Sequence, residues 1–183
     1  MCDAIARKRA MLNAMGLAKG LAKGDKVAIL DNTTVEAVEM FLAVTSASYV
    51  VINLPSQLPA PAVGGCCMKF GVKVLAAGAG FMETAEAASC KVIDIAEMAE
   101  QKASVAVVDK NEPAAIFFTG GTTGAPKGAV LPHRALMRGA LNGVYAPGNQ
   151  LGCQRYASVL PTCLRNSLAS STSWASACSP ATA

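Results

Sequence analysis

Histidine is nearly missing from this chain, and aromatic rings are scarce. One His stands at position 133, and Phe, Trp and Tyr together make 5% of the residues. The seven cysteines, at positions 2, 66, 67, 90, 153, 163 and 178, are odd in number and form no Cys-x-x-Cys pair. Neither a disulfide framework nor a metal site is therefore expected, and with one distant His no Cys-based nucleophile is expected either. Long hydrophobic runs are also lacking. The longest weakly polar run, Met40 to Leu54, contains Thr45, Ser46, Ser48 and Asn53. It is too short and too polar to span a bilayer. The start, MCDAIARKRAML, has basic residues with no long apolar core after them. It is not read as a secretory signal, and a cytoplasmic location is expected. Acidic side chains stop at Glu112: residues 1–112 hold 11 basic and 12 acidic residues, hence −1, and residues 113–183 hold 5 basic and none acidic, hence +5. Those five (Lys127, Arg134, Arg138, Arg155, Arg165) are scattered without interleaved aromatics. A nucleic-acid surface is not expected; a small anionic ligand fits the charge.

What is there is a chain of 183 residues, 52% apolar, with a mean hydropathy of +0.38. That is enough to bury one core. Ala4 to Met15 suits a helix, broken by Gly16, Gly20 and Gly24. Lys26 to Leu30 reads as a strand. Asp31-Asn32-Thr33-Thr34 offers caps for a helix over about Thr33 to Thr45, with Val35, Val38, Phe41 and Leu42 on one face. Tyr49 to Leu54 is a β-branched strand stopped by Pro55, which predicts a parallel pair joined by a crossover helix. Val72 to Leu75 and Lys91 to Ile95 read as further strands, with a helix over Phe81 to Ala88 between them. Ala96 to Lys102 is expected to form a helical turn or two. Asp109 to Pro113 is a polar connector, and His133 to Val144 is helical. Strands alternating with helices imply an α/β sheet.

The densest signal lies in Ala114 to Leu131, AAIFFTGGTTGAPKGAVL. Ala114 to Phe118 reads as a short buried strand. It empties into Thr119-Gly120-Gly121-Thr122-Thr123-Gly124-Ala125-Pro126-Lys127-Gly128. Glycines let backbone N–H groups approach a ligand, and successive N–H groups around one concavity make an anion nest. Hydroxyls of Thr119, Thr122 and Thr123 can donate to phosphate oxygens, and Lys127 adds a point charge. Gly/Thr-rich stretches also mark surface loops of any kind; the ordered spacing is what favours phosphate binding. The P-loop pattern Gly-x-x-x-x-Gly-Lys-Ser/Thr is not met, because Lys127 follows Pro126 and precedes Gly128.

That ten-residue order resembles the ATP-phosphate loop of the adenylate-forming (AMP-binding) superfamily, which includes AMP-forming acyl-CoA synthetases and peptide-synthetase adenylation domains. The run from Ala129 to His133 also fits, since the family passes through a short strand to a His that opens a helix. Upstream, GDKVAILDNTTVEAVEMFLAVTSASYVVINLPS resembles the early part of the superfamily's large domain, with Ser48 where Gly is usual. By the same resemblance Leu58 to Phe70 is a helix, although Pro59, Pro61, Gly64 and Gly65 weaken it. Arg155 to Pro161 is one more strand.

The resemblance implies the N-terminal part of the large domain of the adenylate-forming ligase fold, its mostly parallel sheet incomplete. It implies a partial AMP-binding domain over residues 1–161 and a non-family, disordered tail over 162–183, where 6 Ser, 5 Ala and 3 Thr occur in 22 residues. The abrupt change at Pro161 is read as a shifted frame or a gene fragment ending there. The implied activity is two-step: a carboxylate takes AMP from ATP, and a thiol, usually coenzyme A, takes the acyl group. ATP, Mg2+ and CoA are the implied cofactors. The ATP phosphates would be held by Thr119, Gly120, Gly121, Thr122, Thr123, Gly124 and Lys127. No catalytic residue and no metal ligand is assigned. Because the family's remaining acids and its adenylation Lys are missing from these residues, the chain alone is expected to lack activity. The alternative is a non-catalytic nucleotide-binding or interaction module. For His133 a structural role is expected, with helix capping, packing and nucleotide approach as its options.

Overall fold

The computed structural model describes residues 1–19, 21–88, 90–119 and 127–145. In chain order these form α1 (Cys2–Lys19), β1 (Lys26–Leu30), α2 (Val35–Ser46), β2 (Val50–Asn53), α3 (Ala60–Phe70), β3 (Val72–Ala77), a 3₁₀ turn (Ala79–Phe81), α4 (Met82–Glu86), β4 (Lys91–Asp94), β5 (Pro113–Thr119), β6 (Lys127–Pro132) and α5 (His133–Tyr145). The six strands make one sheet in the order β4-β3-β1-β2-β5-β6. Every neighbouring pair is parallel except β5 and β6, which run antiparallel. The expected mostly parallel α/β sheet is the observed architecture.

Alternation along the strands sorts the core into two layers. Val27, Ile29, Val51 and Ala115 face α1 and α2, where they meet Ile5, Leu12, Met40 and Val44. Ala28, Leu30, Ile52 and Ile116 face the other side, where Val63 and Cys67 of α3 and Ala85 of α4 cover them. The central strands are apolar on both faces because both faces are covered. Among the described residues, no helix is long and apolar enough to cross a membrane.

Local chemistry sets the element ends. Thr34 caps α2, its hydroxyl accepting from the Ala37 N–H at 3.2 Å and donating to Asp31 Oδ2 at 2.5 Å. Helix α3 forms despite its prolines because Pro59 is the N-cap and Pro61 falls in the first turn, where a missing N–H costs nothing. Gly71 ends it in the left-handed region at φ 64°.

Two expectations are corrected. Gly16 does not end the first helix, which runs on to Lys19. Ala96 to Lys102 is not helical beyond a turn at its start. Its backbone groups are taken by the helices beneath it instead. The Ala99 N–H donates to Arg7 O and the Ala103 N–H to Ala6 O. Arg7 Nε donates to Ala99 O at 2.8 Å, and Arg9 Nε and Nη2 donate to Ala103 O at 3.1 and 2.7 Å. Arg7 and Arg9 of α1 thus strap down an extended segment, and a helix there would lose those bonds. The strand expected at Arg155 to Pro161 and the tail at 162–183 lie outside the described residues.

Candidate functional site

A parallel sheet carries all its outgoing connections on one edge, and that edge is where ligands bind in α/β folds. Here the carboxyl ends of β1, β2, β3, β4 and β5 are Leu30, Asn53, Ala77, Asp94 and Thr119. The Gly/Thr segment leaves this edge at Thr119 and returns at Lys127, and those two residues pair directly across the β5–β6 ladder. The hairpin register therefore brings the first and last expected phosphate-binding positions side by side. Gly120, Gly121, Thr122, Thr123 and Gly124 lie outside the described residues.

The end of β5 is clamped on both faces by adjacent aromatics. Phe117 meets Phe41 of α2 at 6.2 Å between ring centroids, and Phe118 meets Phe70 of α3 edge-on at 5.4 Å. Consecutive strand residues point to opposite faces, so a Phe-Phe pair just before the loop fastens the strand end to both helical layers. Sequence reading saw Phe117 and Phe118 only as the end of a buried strand. Their adjacency at the mouth of a Gly/Thr loop was the available signal.

Gly128 lies against this clamp. A Cβ built there would fall 2.8 Å from Ile116 Cγ2 and 3.1 Å from Phe70 Cε1. The glycine after Lys127 is thus required by close packing of β6 on β5 and α3.

The base of the hairpin is pinned as well. Pro113 pairs with Pro132. The N–H of His133 donates to Glu112 O at 3.1 Å, and that of Arg134 to Lys110 O at 2.8 Å. Asp109 Oδ1 accepts from the Asn111 N–H at 2.7 Å, shaping the turn before β5. Glu112 also pairs with Lys23 Nζ at 2.9 Å. Burial holds the His133 imidazole below its ordinary pKa; the Glu112 carboxylate opposes that shift and Lys23 adds to it. Of the options for His133, opening α5 in a packed setting is the one its surroundings match.

Beside β5, the edge opens into a cleft of about 530 Å³ between the connections that follow β1 and β2. Asp31, Asn53 and Gln57 bring polar atoms to it, and Phe41 forms part of its apolar wall. Among the described residues that line it, Asp31 is the only ionisable one. Among the described residues, no group of three or more His, Cys, Asp or Glu side chains is arranged to hold a metal ion.

The sheet order and the hairpin define an α/β domain of the kind found in adenylate-forming ligases. The family model described as "AMP-binding enzyme" matches residues 6–178, and the chain belongs to that family. Nonribosomal peptide synthetase 8 of Aspergillus fumigatus is 29% identical over 136 residues, covering 70% of this chain and 2% of the relative. Long-chain-fatty-acid–CoA ligase FadD13 of Mycobacterium tuberculosis is 31% identical over 137 residues, covering 65% of this chain and 27% of the relative. The solved structure of ATP-bound MatB from Rhodopseudomonas palustris superposes with a TM-score of 0.65 at 25% identity, covering 78% of this chain and 31% of that one. The chain spans about a quarter or less of the length of these curated relatives.

Proposed function

We propose that this chain supplies the pyrophosphate-holding loop of an AMP-forming acid–thiol ligase. The reaction converts a carboxylate and ATP to an acyl-adenylate and pyrophosphate, then passes the acyl group to a thiol. The observation that carries the reading is the pairing of Thr119 with Lys127 at the carboxyl edge of the sheet. It brings both ends of a Gly/Thr segment together, a donor set suited to a polyphosphate. In this reading the Thr119, Thr122 and Thr123 hydroxyls and the N–H groups of Gly120, Gly121 and Gly124 donate to β- and γ-phosphate oxygens. Lys127 balances the charge that builds on pyrophosphate as it leaves. Such stabilisation is electrostatic and depends on donors held in place before the reaction. Mg2+ would screen the triphosphate; no described cluster is suited to hold it, and no role is assigned to this chain in binding it.

For the thiol we favour coenzyme A. The Thr-Gly-Gly form of the loop resembles fatty-acyl CoA ligases more than peptide synthetases, and a CoA ligase is among the relatives at 31% identity. Relatives named as peptide synthetases match at 29%, so the acceptor is the finer part of the proposal. A second reading is a nucleotide-binding module without turnover.

Titration calorimetry of the full chain with ATP, pyrophosphate and adenosine tests the loop assignment. Binding of ATP and pyrophosphate, weakened about tenfold or more by Lys127→Ala, is the expected result. Equal binding by wild type and variant overturns it. Carboxylate-dependent ATP–pyrophosphate exchange separates the two readings: exchange by the chain alone excludes the module, and phosphate binding without exchange supports it.

A further inference from the structure

Away from the sheet edge, under α3, sits a group of cysteines that the ligase reaction does not use. Cys66 and Cys67 lie in α3, and Cys90 precedes β4 on the next crossover. Cys67 is 2% exposed and belongs to the core layer of α3 and α4, while Cys66 and Cys90 are half-buried against the same layer. Backbone packing sets the approach. A Cβ on Gly64 would fall 3.3 Å from the Ala87 carbonyl oxygen and 3.8 Å from Ala88 Cα, so α3 rides almost directly on the turn leading to Cys90. Residues three apart share a helix face, which carries Cys67 from the Gly64 contact toward Cys90. Lys91, next after Cys90, pairs with Val74 of β3 just beyond the end of α3, so both thiols lie at the same end of this layer, and each acts on the other's ionisation.

We propose that Cys67 and Cys90 are a redox-active pair that closes to an intramolecular disulfide under a two-electron oxidant such as hydrogen peroxide, tying α3 to the α4–β4 connection. Their surroundings order the steps. The neighbouring Cys90 and then burial hold the Cys67 thiol protonated, whereas the neighbouring Cys67 lets Cys90 lose its proton more readily than an ordinary thiol, against its own burial. Thiolate is the reactive form. The Cys90 sulfur displaces hydroxide from peroxide and becomes a sulfenic acid. The Cys67 sulfur attacks that sulfur, and its proton leaves with the sulfenic oxygen as water. Two thiols are oxidised, and one peroxide is reduced to two waters. Partial exposure of Cys90 admits the oxidant, and the adjacent buried thiol resolves the sulfenic acid before further oxidation.

Peptide mapping of the full-length chain tests this. The protein is treated with hydrogen peroxide, blocked with N-ethylmaleimide and digested with trypsin without reductant. Cleavage after Lys26, Lys69, Lys73 and Lys91 puts Cys66 and Cys67 on one peptide and Cys90 on another. The expected product joins these two peptides, two hydrogen atoms lighter than their sum, with Cys66 still alkylated, and dithiothreitol separates them. Cys67→Ser should lower its yield about tenfold or more, and Cys66→Ser should leave it unchanged. A bridge through Cys66, a link only between two chains, or Cys90 carried to sulfinic acid without any link overturns the proposal. The Cys66 variant guards against loss by misfolding, since it alters the neighbouring position while keeping the pair.

Discussion

Lys8 Nζ lies 3.4 Å from Glu39 Oε2, with the lysine side chain wholly buried and the glutamate 10% exposed. This ion pair joins α1 to α2 beneath the sheet, and Lys8 also donates to Glu36 O at 3.3 Å. A charge withdrawn from water survives only with its partner in place. Lys8→Met should therefore destabilise the fold by about 3 kcal/mol, seen as a lower urea midpoint. Adding Glu39→Leu should recover most of that loss. If the double variant is as unstable as the single one, the cost lies in packing and not in a carboxylate left with only the Met1 amino group at 3.9 Å.

Gly128→Ala should displace β6, since its Cβ would collide with Ile116 and Phe70. Overpacking of this kind costs about 1–3 kcal/mol. The neighbouring residue is Lys127, so phosphate binding should weaken along with stability. Trimming the obstacle with Ile116→Val should restore part of both, measured by calorimetry and thermal melts. A variant that binds and melts like wild type would show that β6 has room to spare.

His133 gives the pH dependence a definite sign. Its folded pKa lies below the ordinary 6.5, chiefly through burial. The unfolded chain then binds a proton that the folded chain resists, so stability contributed by this residue is present above about pH 6.5 and falls as the pH drops through it. Denaturation midpoints measured from about pH 7.5 down to about pH 5 should decline, and His133→Gln should flatten that slope. An equal slope in the variant would assign the decline to other groups.

Arg9 holds the extended segment after β4 through two bonds to Ala103 O, and a third, to Ser46 Oγ at 2.8 Å, ties Arg9 to the end of α2. Arg9→Met keeps the aliphatic stem and removes those donors. Limited proteolysis should then cut first within residues 97–108, with a stability loss of about 2 kcal/mol. Unchanged cleavage sites would mean that the backbone bonds to Ala6 and Arg7 suffice.

The buried, strapping role of Arg9 marks where sequence reading stopped. The strands at 26–30, 91–94 and 113–119 were legible because each is a short apolar run between polar or Gly/Pro breaks. Helix α2 was legible through its Thr34 cap, but of the face expected for it only Phe41 and Leu42 pack on the core; Val35 and Val38 are exposed, and Met40, Ala43 and Val44 are buried instead. The segment 96–102 was misread because its composition suits a helical turn, and nothing local shows that Arg7 and Arg9, about ninety residues earlier, take its carbonyls. The same limit hid the pairing of Lys8 with Glu39. For the candidate site, the Thr-Gly-Gly-Thr-Thr-Gly order pointed to the end of β5, at the carboxyl edge of the sheet. The aromatic clamp required knowing which helices lie on each face, and that is set by pairings between distant strands.

The β5–β6 hairpin has a mechanical consequence. Its antiparallel arm runs the six residues from Lys127 to Pro132, and at about 3.3 Å per residue it reaches about 20 Å. It is fixed at its root by Glu112, His133 and the Pro113–Pro132 pair. A tilt of only about 3° at the root of such a beam sweeps its far end through about 1 Å, a displacement large enough to spoil a reacting geometry. The Phe41–Phe117 and Phe70–Phe118 contacts grip it near that far end, where leverage over the tilt is greatest. The hairpin is thus suspended at two points, and the backbone of Lys127 stands at the one tied to both helical layers.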